Sequence, residues 1–330
     1  MAKKATLTQI SQAAGVSIAT VSRVLSGKEP VAHGTRQRVL RAIRDLEFDS
    51  GLQSSVPHGG SILALVPDFY NPFYAGIIEG VQQTARASGY ELLLIPTGDN
   101  YASASVLSGM LRREGCSGVL WLSSTPGPEL LAAVGRLVPM VMVCEYPEEF
   151  PVSYVSVDDV SAAYRAVSYL ISTGCRRIGM VNCASRYKYA RSRLEGYRQA
   201  LADADLPFDP DRYASIPSID YTLAYSAALQ VLHTEPAPDA VFAASDVLAA
   251  AVINAAGSMG LRVPEDVSVI GFDNVMTSQV ARPSITTIAQ PSLQLGQQAC
   301  SILVEKIQTP DLPDRHILLN TELIIRGSTR

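Results

Sequence analysis

The sequence predicts two domains of different class: a small all-α head of three short helices and a large two-lobed α/β body. Three observations carry this. Residues 1–48 show only helical periodicity, residues 49–60 (DSGLQSSVPHGG) are rich in Gly, Ser and Pro, and from Ser61 short β-type runs alternate with helical stretches.

The first head helix starts at Thr6 and runs through TLTQISQAA to Gly15. The second starts at Ser17 and runs through SIATVSRVL to Gly27, and the third covers about Thr35 to Leu46. Each boundary has a cause: a hydroxyl accepts from unpaired N–H groups at the start, and glycine closes the last turn with positive φ. Val39, Ala42, Ile43 and Leu46 recur at helical spacing. With Ile10, Val16, Val21 and Leu25 they are expected to form a miniature core. Residues 49–60 read as a linker. In the body, strands are expected at 62–66, 91–95, 118–122, 141–144, 154–157, 177–181, 240–244, 267–272, 316–320 and 322–326. Their near-continuous apolar character implies parallel sheets covered on both faces. The length of residues 61–330 suits two similar lobes with a cleft between them.

The net charge of −4 hides an asymmetry: residues 1–50 carry eight Lys and Arg against four acids, and the remainder is correspondingly acidic. A basic head on an acidic body suits a protein that touches phosphate with one end only. Five cysteines lie scattered without C-x-x-C spacing, which reads as reduced thiols. No apolar run is long enough to span a membrane, and MAKKATLTQI lacks the apolar stretch of a secretory signal, so the cytoplasm is the expected compartment.

The segment AAGVSIATVSRVL (13–25) is the most specific feature. A glycine between two helices permits a tight turn, and Ala14 lets the helices approach. With Val16 and Val21 facing the core, Ser17, Ile18, Ala19, Thr20, Ser22 and Arg23 are left for the outer side of the second helix. In a helix-turn-helix the early residues of that helix reach base edges in the major groove. Arg23 suits guanine, the hydroxyls (Thr6 included) suit phosphate or base oxygens, and Ile18 and Ala19 offer apolar contact to thymine methyls.

The segment TLTQISQAAGVSIATVSRVLSG (6–27) resembles the head of the LacI/GalR repressors. The resemblance continues in NPFYAGIIEGV (71–81), RLEGYRQAL (193–201), FAASDVLAAAV (242–252), VPEDVSVIGFDN (263–274), SITTIAQP (284–291) and ELIIRGSTR (322–330). The tail sections are most similar to the cytidine-repressor branch. The resemblance implies a body like the periplasmic sugar-binding proteins, a homodimer, a pseudo-palindromic double-stranded DNA operator and a small-molecule effector, a nucleoside or a sugar. Two departures stand out. The linker lacks the A-R-x-L hinge-helix segment usual in the family, so a flexible tether is expected, and Ala32 stands where a serine often caps the third helix.

Ligands of open α/β sheets bind beyond the carboxyl ends of strands. There the resemblance places Phe73 after the first body strand, Arg193 as the effector-binding arginine, Ser245, and Asp273 as the residue that holds sugar hydroxyls. Tyr187 and Tyr221 are expected in the wall, Glu145 after VMVC is a further candidate to line the cleft, and Asp246 reads as a helix cap. A guanidinium and a carboxylate facing one cleft suit a polyhydroxylated ligand through charge-assisted hydrogen bonds. The sequence contains no G-x-G-x-x-G, P-loop or G-x-S-x-G, and its four histidines have no metal-ligand spacing. Neither catalysis nor a cofactor or metal is expected.

Overall fold

The structure, a computed structural model, describes residues 6–26, 31, 35, 38–39, 41–42, 60–97, 107, 109, 111, 116–122, 126–147 and 149–330. The chain divides into two compact units, Met1–Val56 and Pro57–Arg330.

In the first unit, α1 spans Leu7–Ala14 and α2 spans Ile18–Ser26. Thr6 caps α1 in a reciprocal box. Its hydroxyl accepts from Gln9 N at 3.4 Å and its N–H donates to Gln9 Oε1 at 2.8 Å. Gly15 ends the helix at φ 61°, its N–H bonded to Ser11 and Gln12 carbonyls. Ser17 caps α2 by accepting from Thr20 N at 3.1 Å. Ile10, Ala14, Val21, Val24, Val39 and Ala42 form a small buried core with Val16 and Val31 against it. Thr35, Arg38, Val39, Arg41 and Ala42 are helical, as the expected third helix requires. The side chains of Leu25, Ile43 and Leu46 and all of the linker except Gly60 lie outside the described residues.

The second unit holds two six-stranded sheets. Lobe 1 contains β1 (Ser61–Val66), α3 (Phe73–Ala87), β2 (Glu91–Pro96), β3 (Cys116–Trp121), α4 (Pro128–Gly135), β4 (Met140–Val143) and β5 (Ser153–Val157). Lobe 2 contains α5 (Asp159–Ser172), β6 (Ile178–Cys183), α6 (Lys188–Asp203), β7 (Tyr213–Ile216), α7 (Tyr221–Leu232), β8 (Ala240–Ala243), α8 (Asp246–Ser258), β9 (Ser268–Asp273), the short α9 (Met276–Val280) and β10 (Thr286–Ala289). The chain then returns to lobe 1 for α10 (Ser292–Gln308) and β11 (His316–Leu319), and ends in lobe 2 with β12 (Glu322–Ile324). Sheet order is β11-β5-β4-β3-β1-β2 in lobe 1 and β12-β10-β9-β8-β6-β7 in lobe 2. All pairings are parallel except β10 with β12.

Two strands escape the sequence pattern. β10 reads TTIA, and its two threonines are buried because their hydroxyls find partners in Asp246 and Thr329. β7 is a four-residue edge strand with a single buried apolar side chain, Ile216, too short for periodicity to register.

The three lobe crossings, after β5, after β10 and after β11, place α10 on lobe 1 and α5 on lobe 2. Both helices make backbone-close pairs. A Cβ on Gly80 of α3 would overlap the Leu293 carbonyl of α10, and one on Gly196 of α6 would overlap the Val160 carbonyl of α5. At these glycines of the NPFYAGIIEGV and RLEGY segments only hydrogen fits. Replacing Gly196 with Ala is expected to force the α5/α6 pair apart and cost about 1–3 kcal/mol, as overpacking does. Urea unfolding of the variant checks this, and a midpoint unchanged from wild type contradicts the close-packing assignment.

Candidate functional sites

The outer face of α2 is the first site. Val21 and Val24 point into the head core, so Ile18, Ala19, Ser22 and Arg23 are exposed, with Ile18 at 46%. Thr20 is half-buried, and its hydroxyl lies 2.9 Å from that of Ser17. Thr6 and Ser17 both commit an oxygen lone pair to a helix start, which orients their hydroxyls at the amino ends of α1 and α2. An apolar methyl-bearing edge beside an arginine and two hydroxyls on one helix face is a surface that matches base edges and phosphates.

The second site is a cavity at the carboxyl ends of both sheets. From lobe 1 it is lined by Asn71, Phe73 and Tyr74 after β1, Cys144 and Glu145 after β4, and Ser156 and Val157 of β5; from lobe 2 by Asp159, Tyr189, Arg193, Ile219, Asp273 and Gln290. The loop into α3 is fixed by its own side chains. Asp68 Oδ1 accepts from Tyr70 N (2.7 Å) and Asn71 N (2.9 Å), and Asn71 Oδ1 accepts from Phe73 N (3.1 Å). That holds the Phe73 and Tyr74 rings tilted at 59° with centroids 5.6 Å apart.

Arg193 is the centre of the polar wall. It is 4% exposed, donates Nε to Asp159 Oδ1 at 2.9 Å and NH1 to the Ala244 carbonyl at 2.5 Å, and has NH1 3.8 Å from Asp273 Oδ1. Its guanidinium lies 3.5 Å over the Phe272 ring. Lys188, one turn earlier on α6, pairs with Asp159 Oδ2 at 3.3 Å and sits 4.4 Å above the Tyr146 ring. Burial is the largest single effect and opposes both positive charges, but Asp159 together with Tyr146 and Glu145 around Lys188, and with Asp273 and Tyr189 around Arg193, outweighs it, so both pKa values stand above their ordinary range. Glu145 is 2% exposed and accepts from Lys188 N at 2.8 Å and Tyr189 N at 2.9 Å, bridging lobe 1 to the first turn of α6.

Asp273 is aimed by a left-handed pair, φ 108° at Asp273 and 60° at Asn274. Such backbone persists only when its surroundings over-determine it. Here Asp246 Oδ2 accepts from Val275 N at 2.8 Å, and Arg326 donates to Asn274 Oδ1 at 2.6 Å and to the Ile285 carbonyl at 2.8 Å. Thr287 donates to Asp246 Oδ1 at 2.6 Å, and Gly271 leaves room for that oxygen, since a Cβ there would collide with it. Gln290 donates to Asp273 Oδ1 at 2.7 Å. Burial pushes the Asp273 carboxyl up to about 7, against the lowering effects of Arg193 and Gln290.

Of the expected body residues, Phe73, Glu145, Arg193 and Asp273 come together at the cavity. Tyr187, Tyr221 and Ser245 do not line it. Tyr187 stands at the residue before α6 without capping it and stacks on Tyr189, centroids 5.3 Å apart, and it is Tyr189 that reaches the wall. Tyr221 is 42% exposed at the start of α7 and accepts from Asn254, while Ile219 lines the cavity from the same loop. Ser245 is fully buried as the cap of α8, accepting from Leu248 N at 3.2 Å. This displaces the expectation for Asp246: Ser245 is the cap, and Asp246, one residue on, turns inward to brace the Asp273 turn. Asp159 and Gln290 were not expected; both follow strands of the sheets at points where the chain crosses between lobes, which the sequence does not mark. Cys144 lies on the wall, but burial pushes its thiol up, so it is not a thiolate nucleophile.

A carboxyl raised from about 4 in the unfolded chain to about 7 when folded binds more protons in the native state across that window. Asp273 therefore erodes stability as pH rises through it and costs a constant amount above. The melting temperature of Asp273→Asn minus that of wild type is expected to grow from pH 4 to 7 and then level off; a difference that shrinks over that range contradicts the assignment.

Residues 6–50 match the bacterial regulatory proteins of the lacI family, and residues 167–329 match the periplasmic binding protein-like domain. The transcriptional repressor CytR of Escherichia coli strain K12 is 34% identical over 330 residues, covering 99% of this chain and 96% of that protein. The transcriptional regulator CelR of Thermobifida fusca is 34% identical over 340 residues, covering 99% and 98%. The solved complex of CelR with cellobiose superposes with a TM-score of 0.75 at 32% identity, over 98% of this chain and 100% of that one. A helix-turn-helix head, a two-sheet body with three crossings and whole-length identity of this order lead to one conclusion: the chain belongs to the LacI family of bacterial transcriptional regulators.

Proposed function

We propose that this protein is a repressor that binds a pseudo-palindromic DNA operator as a homodimer, and that an effector of nucleoside or sugar type, seated between the two lobes, sets its operator affinity. The observation that carries the effector reading is the meeting of Arg193, Asp273 and Gln290 with the Phe73, Tyr74 and Tyr189 rings at one cavity on the carboxyl ends of two parallel sheets. Fixed hydrogen-bonding groups select hydroxyls, and the rings supply faces for a sugar or base to stack on. The CelR relative whose complex contains cellobiose supports a carbohydrate-like ligand, and the repressor CytR supports the direction of regulation. Its relatives are regulators, and the cleft is read as a binding site with no catalytic role. A DNA partner places the protein in the cytoplasm; no helix among the described residues is long and apolar enough to cross a membrane.

The cavity is about 20 Å³, room for about one water molecule. A nucleoside or sugar therefore enters only with a change in lobe spacing or in the wall side chains. Binding is thereby tied to conformation, which is what allows a ligand to bias a two-state protein. A coupling of about 1–3 kcal/mol suffices to shift operator occupancy. Two identical heads need two identical half-sites, hence the operator symmetry.

Two measurements test the reading. Arg23→Ala is expected to weaken binding to the preferred genomic fragment by roughly 5- to 150-fold, the worth of one bidentate base contact, with bulk DNA binding little changed. A wild-type protein that shows no fragment preference over bulk DNA overturns the operator reading. Asp273→Ala is expected to leave operator affinity without effector within about twofold while weakening effector binding by more than about tenfold, as loss of a charged hydrogen-bond partner does. Normal effector response in that variant overturns the cleft assignment.

A further inference from the structure

The first turn of a helix is a natural seat for an anion, because its N–H groups are unpaired and point outward along the axis. The first turn of α6 faces the cavity, and α6 has no side-chain cap of its own. Its seat is already taken. Glu145, from the other lobe, places one carboxylate oxygen on Lys188 N and the other on Tyr189 N, at 2.8 and 2.9 Å, and is 2% exposed. Both oxygens accept, as a carboxylate does.

The neighbouring cations are committed as well. Asp159 holds Lys188 at 3.3 Å and Arg193 at 2.9 Å, and Arg193 also donates to the Ala244 carbonyl. Arg186, just ahead of α6, donates to the Pro217 carbonyl and the Tyr187 hydroxyl. The cluster at the cleft therefore sets three carboxylates, Glu145, Asp159 and Asp273, against two cations, Lys188 and Arg193, all 6% exposed or less.

Resting on the reading that this cleft holds the effector, we infer that Glu145 is a specificity-determining residue: it fills the position a ligand phosphate would take, so the cleft accepts uncharged polyhydroxylated ligands and rejects their phosphate esters. Rejection has two parts. A phosphate finds the first-turn amides of α6 already taken by Glu145, and its charge meets the Glu145 carboxylate while the nearby cations, Lys188 and Arg193, are already paired with Asp159. Juxtaposed like charges of this kind act as negative selection against the wrong ligand.

The test uses the full chain. A panel of ribonucleosides, pentoses and hexoses is compared with the matching monophosphates by thermal shift and calorimetry. Uncharged members are expected to bind, and the phosphate ester of any binder is expected to be weaker by at least roughly 100-fold. In parallel, Glu145→Ala and wild type are melted in inorganic phosphate and in chloride at equal ionic strength. The variant is expected to melt several degrees below wild type in chloride and to recover part of that loss in phosphate beyond any shift that wild type shows. A phosphate ester that binds as well as its parent overturns the inference and leaves the effector reading standing. Equal phosphate response in variant and wild type overturns the anion-seat role of Glu145. Silence from both ligand series overturns the effector reading, and the inference with it.

Discussion

The contact between Asp159 and Arg193 organises the body. Asp159 stands at the first residue of α5, immediately after the chain leaves lobe 1, and its two oxygens take Arg193 and Lys188 from the first two turns of α6. Buried ion pairs contribute little net stability against their desolvation, but removing one partner strands a charge in low dielectric at a cost of about 3–5 kcal/mol. Such a pair is therefore better at dictating geometry than at adding stability. Here it ties the start of α5 to the same stretch of α6 that carries Lys188, Tyr189 and the Glu145 bridge to the opposite lobe.

A second constraint runs through Asp246. Its carboxyl is fully buried, and burial together with the nearby Asp273 pushes its pKa up. What it gains is three-dimensional reach. One oxygen meets Thr287 on β10 and the other meets the Val275 amide beyond β9, so that two parallel strands and the left-handed turn between β9 and α9 are tied at one point. Arg326 ties the same turn from the chain's last segment. The backbone turn that aims the Asp273 carboxylate at the cavity is thus held by Asp246 and Arg326, neither of which lines it.

The same turn leads directly into α9, whose Met276 and Val280 are 74% and 62% exposed. In the head, the apolar side of α2 is buried by a core of six described residues and its polar side is left outward. Both units obey one rule: interior packing decides which side chains are left to face the outer side of α2 and the cavity. It is why small residues such as Gly80, Gly196 and Ala14 matter as much as the charged ones. They set how closely helices approach, and so where the recognition side chains end up.

Local chemistry written along the chain determined much of this protein. The caps at Thr6 and Ser17, the turn at Gly15, the outward face of α2 and ten of the twelve strands follow from hydroxyls, glycine and periodicity, which act over a few residues. Phe73, Arg193 and Asp273 were legible through the resemblance of the NPFY, RLEGY and GFDN segments to the LacI family, with the strand ends of an open α/β sheet as the place to look. Tertiary structure alone decided the rest. Asp159 and Gln290 join the cavity only because the chain crosses between lobes there, and Glu145, legible as a cleft candidate, reaches the α6 amides 43 and 44 residues on only through the fold. Tyr189 displaced Tyr187, and Ser245 withdrew into a cap, because a rotation of one residue on a helix start moves a side chain by about 100°. β7 and β10 are strands because the sheet pairs them, and their short or threonine-rich sequences carry no apolar period that local reading could register.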